Sequence, residues 1–197
     1  MIVQSLKDGK IIHFQFDDGV LLCKTMLRFQ EHYESPQFAK KIFTLGMYRA
    51  WYTIKYGAFT YYTDWVGFNF PHTAVKPFLD GLFDPLTNEE QYVVDVLRHV
   101  ATPYYVIGSK DDDAFEHEMT HAMYYIIDEY REAVNKMLST NKLDHLKEHL
   151  LKHYSEDVLL DECNAYLCDV DEYLKDNGIK IPKYIKKKLL KLKQQNE

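Results

Sequence analysis

One short segment of this 197-residue chain carries residue types that do chemistry at a spacing that can use them: Phe115-Glu116-His117-Glu118-Met119-Thr120-His121. On a helix, residues four apart share a face, so His117 and His121 can present two imidazoles to one metal ion. Glu118, one position along, reaches the space beside that ion, where a bound water would sit. Zinc lowers the pKa of such a water toward neutrality, and a nearby carboxylate can take its proton. The pattern H-E-x-x-H is short enough to arise by chance, so it gains weight from its context: an amphipathic helix that follows a short β-rich run.

Hydrolytic zinc sites use three protein ligands and keep one position for water. Glu162, in Leu159-Leu160-Asp161-Glu162-Cys163-Asn164-Ala165-Tyr166, is the expected third ligand. It stands among apolar neighbours on a later helix, and a carboxylate there is costly to bury without a partner. His145, His149 and His153 form a stripe that offers a rival ligand or a second metal site, though a half-exposed helix face is the favoured reading.

These residues give the chain a resemblance to the gluzincin branch of zinc metallopeptidases, in which a helical H-E-x-x-H is completed by a Glu from a downstream helix. The match covers His117, Glu118, His121 and Glu162, within residues 114–176. Metzincins are excluded, because Tyr124 and Ile127 occupy the positions of their Gly and third His. In many gluzincins an Asp one turn after the ligand Glu supports a histidine. Here that position is Tyr166, and Asp128 is the candidate for the supporting role or for a rival ligand. The resemblance also implies a substrate-binding edge strand just upstream of the motif, which falls on Tyr104, Tyr105, Val106 and Ile107, and water attack on a peptide bond with Glu118 as the base. Tyr166 or Tyr154 would donate a hydrogen bond to the oxyanion. The cofactor implied is one Zn²⁺, and the partner a peptide or protein substrate. The first 100 residues show no comparable resemblance.

The elements that must position this site read as α+β, mainly helical with a small sheet, and zincin-like by resemblance. Lys10 to Phe16 alternates as a strand. Helices are expected over 20–33, 42–56 (closed by Gly57), 88–100, 114–138, 143–154 and 156–175. Thr87 and Glu90 form a capping box. The aromatic stretch 58–71 carries Gly, Asn and Pro punctuation and could wall a substrate cleft or be core, with Asp64 and Asn69 favouring a structured loop that touches ligand. The chain is expected to form one domain, with an N-terminal helical and aromatic part (1–100), a metal-site core (101–176) and a Lys-rich C-terminal segment (180–197).

Composition sets the remaining bounds. Apolar residues at 46% permit a full core, and the net charge of −6 argues against a dedicated nucleic-acid binder. Lys180, Lys183, Lys186, Lys187, Lys188, Lys191 and Lys193 crowd the C-terminus. They read as the wet face of a docked helix, or as a site for an acidic partner. Cys23, Cys163 and Cys168 show no disulfide framework. With no signal-like start and no transmembrane-length apolar run, a reduced, cytoplasmic setting is expected. Two rival readings stand beside the hydrolase: a catalytically inactive zincin scaffold that binds or regulates, and an interaction module that works through the basic tail.

Overall fold

The computed structural model describes residues 1–169 and 171–196. Two strands open the chain, β1 (Ile2–Leu6) and β2 (Ile11–Gln15), joined by a tight turn in which Gly9 takes a left-handed φ of 84°. α1 (Gly19–Glu34) follows, started by Asp18, whose carboxylate accepts from the backbone N–H of Val20 and Leu21. α2 (Leu45–Tyr56) is capped by Thr44 and stopped by Gly57 at φ 86°. Then come α3 (Tyr61–Asp64), β3 (Gly67–Pro71), α4 (His72–Leu79) and α5 (Asn88–Leu97), the last opened by the Thr87/Glu90 capping box that the sequence predicts. β4 (Tyr105–Ser109) leads into α6 (Asp112–Ile126) and α7 (Asp128–Ser139). The chain closes with α8 (Asp144–Leu150), a 3₁₀ turn (Glu156–Val158), α9 (Leu159–Asp169), α10 (Asp171–Asp176) and α11 (Lys183–Gln194). The fold is α+β.

The four strands form one mixed sheet in the order β1-β2-β4-β3. β2 and β4 are parallel, with Ile12 opposite Val106, while β1 and β3 run antiparallel to their neighbours. α1 covers one face, where Ile12, Phe14, Phe68, Phe70 and Val106 pack with Leu22, Met26 and Phe29. Gly108 permits this approach, since a Cβ there would stand 3.1 Å from both Leu22 and Met26. α6 covers the other face through Ala122, which packs with Ile11, Tyr105 and Ile107. A second apolar cluster lies wholly among α6 to α11, with Met123, Val134, Leu146, Cys163, Ile185 and Leu189 all buried.

Several sequence expectations are corrected. The helix expected over 114–138 is two helices, because Ile127 is extended (φ −113°, ψ 100°) and starts α7 in a new direction. The aromatic stretch 58–71 holds α3 and β3; its rings pack inward, with Tyr61, Phe68 and Phe70 essentially inaccessible. Of the helix expected over 143–154, α8 ends at Leu150, so His153 falls beyond it. The helix expected over 156–175 begins as the 3₁₀ turn and continues as α9 and α10, with Val170 outside the described residues. No helix among the described residues is long and apolar enough to cross a membrane.

Candidate metal centre

α6 carries the motif along the face of the sheet that holds Tyr105 and Ile107, and α9 packs beside it. This arrangement brings Glu162 to His121, with Oε1 3.9 Å from Nε2. On the other side of the same ring, Asp161 Oδ1 lies 3.0 Å from Nδ1. His121, Glu162 and Asp161 are all interior, at 1%, 2% and 6% exposure. His117 projects on the same side of α6, its ring centroid 5.1 Å from that of His121. Asp169, the last residue of α9, lies 3.9 Å from His117 Nδ1. Thr120 Oγ donates to Asp169 at 2.9 Å and Lys193 Nζ at 3.3 Å, which fixes the orientation of that carboxylate.

Glu118 is held from the sheet. Asn69 Nδ2 donates to Glu118 Oε2 at 2.6 Å, and Asn69 Oδ1 accepts from the Tyr105 hydroxyl, which settles the direction of the amide. The other carboxylate oxygen lies over Gly67. A side chain at 67 would overlap it, and even the Glu118 Cδ would be only 2.9 Å from a Cβ there. An open cleft of about 720 Å³ borders this group, with His117, Glu118, Tyr166, Asp169, Tyr173 and Val66 in its wall.

The electrostatics follow from burial. Desolvation lifts Glu118 to about 7 and Glu162 to about 8, although the charge on His121 pulls both down. Burial lowers His117 to about 3, helped by the charges of His121 and Lys193. Burial also pushes His121 down, but Asp161, Glu162 and Glu118 together override it and hold its pKa well above the ordinary range. One interior region thus contains several carboxyls and a single imidazole to balance them.

Among the described residues, no three His, Cys, Asp or Glu side chains form a ready ligand set for a metal ion. Their chemistry nevertheless fits one. Two donors on a tetrahedral zinc lie about 3.3 Å apart, close to the His121–Glu162 separation. The buried Nδ1 atoms of His117 and His121 and Oδ1 of Asp161 have no hydrogen bond of good geometry, yet each nitrogen faces a carboxylate. Carboxylates behind ligating imidazoles are the common outer support of a metal site.

The remaining expected residues are placed as follows. Asp128 neither supports a histidine nor offers a ligand: past the break at Ile127 its side chain is 75% exposed and pairs with Arg131. Tyr104, Tyr105, Val106 and Ile107 do not form an edge. Tyr104 precedes β4, which is an inner strand between β2 and β3, and all four residues are buried. The edge on this side is β3, and strand addition there is obstructed, since the Asn69 N–H is taken by Gln30 Oε1 at 2.8 Å and Pro71 has no N–H. Tyr166 lines the cleft with its ring 5.7 Å from that of His117, while Tyr154 stands behind it, the two hydroxyls 3.1 Å apart. His149 bonds the Tyr173 hydroxyl at 2.9 Å, with its ring tilted 50° to that of His153 at 5.9 Å, and no metal-binding group among the described residues includes the histidine stripe. All three cysteines are buried and unbridged. Sequence reasoning missed Asp161, Asp169 and Gly67, and singled out Asn69 as a loop residue that touches ligand, without its role of holding Glu118. Of the residues missed, only Asp161, adjacent to Glu162 in an Asp-Glu pair, left a visible signal.

No family model matches the chain, nor does any curated protein or any solved structure.

Proposed function

We propose that this protein is a zinc-dependent metallopeptidase with His117, His121 and Glu162 as ligands and Glu118 as general base. The observation that carries this reading is the His121 ring, held in the interior with Glu162 at one nitrogen and Asp161 at the other. Asn69 meanwhile presents the neighbouring Glu118 at the wall of an open cleft. When bound, zinc would supply a water of lowered pKa and polarise the scissile carbonyl. Glu118 then takes the proton of the attacking water and returns it to the leaving nitrogen. The Tyr166 hydroxyl, in the cleft beside His117, is the candidate donor to the oxyanion. Substrate enters through the cleft, since β3 has little edge left to offer a peptide strand.

The test pairs metal analysis with a peptide-library assay. The parent should hold one zinc per chain and cleave. Glu118→Gln should keep the zinc and lose at least about a hundredfold in turnover. Cleavage that survives this substitution would end the mechanism. A second reading, a scaffold that holds metal without turnover, is favoured by the seclusion of His121 and Glu162 behind the cleft wall. Stoichiometric zinc with no cleavage across the library would select it.

A further inference from the structure

α2 carries two apolar stripes, and they face opposite ways. Tyr48 and Tyr52, one turn apart, are buried with their rings against Phe38, Phe43 and Tyr61. Met47, Ala50, Trp51 and Ile54 follow the i, i+3, i+4, i+7 spacing by which a helix ordinarily seats itself on a core. This stripe turns outward: Met47 is 56% and Ile54 85% exposed, Ala50 is exposed, and Trp51 is half-buried. The apolar surface continues past the start of the helix, where Ile42, Met47 and Leu82 line a groove of about 380 Å³, with Ile42 and Leu82 about half exposed. Single exposed apolar residues are ordinary, but a contiguous run marks a binding surface.

The charge on this segment has one sign. Residues 36–63 contain Lys40, Lys41, Arg49 and Lys55 and no Asp or Glu, in a chain whose net charge is −6. Lys40 pairs with Asp157, and Lys41 Nζ donates to the Gln37 carbonyl. Lys55 Nζ sits 4.9 Å from the ring centres of both Trp51 and Tyr56, and Arg49 lies over Phe59 at 4.9 Å. Acids border the segment at Asp84, in the groove, and at Asp64, which accepts from the hydroxyls of Tyr52 and Thr60. Cations and aromatic rings beside a protruding aliphatic side chain suit a bilayer interface, with the rings at headgroup depth. A second copy on the same face by two-fold symmetry would set these cations against each other. Ile54 is not in the groove's lining, so a peptide seated in the groove would leave the most exposed apolar residue uncovered. We propose that α2 and Ile42 form a peripheral membrane-binding surface. Met47 and Ile54 enter the interface of a bilayer that contains anionic lipid, and Lys41, Arg49 and Lys55 meet its headgroups. So few anchors make the attachment shallow, reversible and sensitive to salt. The proposal is independent of the metal reading.

The experiment sediments the full-length protein with vesicles of phosphatidylcholine alone, and with vesicles that also contain about one-third phosphatidylserine, at low and high salt. The parent should bind the anionic vesicles, leave the neutral ones, and be released by high salt. Met47→Ser/Ile54→Ser alters outward side chains alone, so its melting temperature should be unchanged while it binds at least about tenfold more weakly. Lys187→Gln/Lys191→Gln, on α11, should bind as the parent does. Brominated lipid should quench the parent's tryptophan emission, and Trp51→Phe should lose that quenching. No binding to anionic vesicles overturns the proposal, and binding to polyglutamate in its place would assign the surface to an acidic protein. Undiminished binding of Met47→Ser/Ile54→Ser also overturns it, as does loss in the α11 variant alone, which would move the contact to α11. A parent that is dimeric without lipid and monomeric as Met47→Ser/Ile54→Ser would make the stripe an interface between copies, and overturns it too.

Discussion

Glu118 is wedged between an amide and a glycine, and both contacts can be tested. Gly67→Ala places a methyl where the carboxylate oxygen now lies. Zinc content should be unchanged, because no ligand is touched, while kcat/KM falls at least about tenfold as Glu118 is driven from its position. The measurement is paired metal analysis and peptide-cleavage kinetics, and unchanged kinetics would show that the carboxylate works from elsewhere. At this scale the sequence was informative where the chemistry is local. His117, Glu118 and His121 lie within one helix, whose geometry is known without the fold, and Glu162 stood out as a carboxylate among apolar neighbours. Gly67, and the contact of Asn69 with Glu118, were invisible because they come from the registry of β3 on β4, a long-range pairing. Asp128 misled because it lies where α6 would have continued had it not ended at Ile127.

Elements with local signals were legible: β2 by alternation, α1 by its helical spacing ahead of Pro36, α2 by Gly57, and α5 by its capping box. β1 and β3 were not. β1 is short and mostly exposed, and β3 hides within a run of aromatics that would suit a loop equally well. The Lys-rich end resolves into α11, which docks through Ile185 and Leu189 and inserts Lys193 beneath α6, its Nζ donating to the Glu116 carbonyl at 3.2 Å. Lys193→Met keeps the stem and removes the donor. It should destabilise the protein by about 1–3 kcal/mol, and amide exchange should speed up most in α11. A melt indistinguishable from the parent would mean that the apolar face alone holds this helix.

The described residues form three apolar clusters, and the candidate centre lies where α6 and α9 pack together, with buried acids on α1, α6 and α9. Glu31 is the acid best suited to a pH experiment, because it accepts from the hydroxyls of Tyr61, Tyr48 and Ser35 and is not among the candidate ligands. Burial raises it to about 7 from an ordinary value of 4.5. A raised folded pKa gives a stabilising contribution that is complete below about pH 4.5 and lost as pH climbs through 7. Metal-free parent should therefore gain on metal-free Glu31→Gln as pH falls from 8 to 5, by up to about 3 kcal/mol in denaturant unfolding. A difference that stays flat across this range would mean that Glu31 keeps its charge state.

The parallel pairing of β2 with β4 also dictates an order of assembly. β2 is made early, but its partner emerges only after α1 to α5 have been synthesised, and the chain must close that long loop before the central ladder can form. The aromatic cluster around α1 to α5 draws mostly on residues that precede β4, so it can collapse first and wait. His117 and His121 follow β4 directly, and Glu162 follows later still. The histidines thus meet their carboxylates late in folding, and a zinc ion bound as proposed would act on a nearly finished protein, slowing its unfolding far more than it speeds its folding.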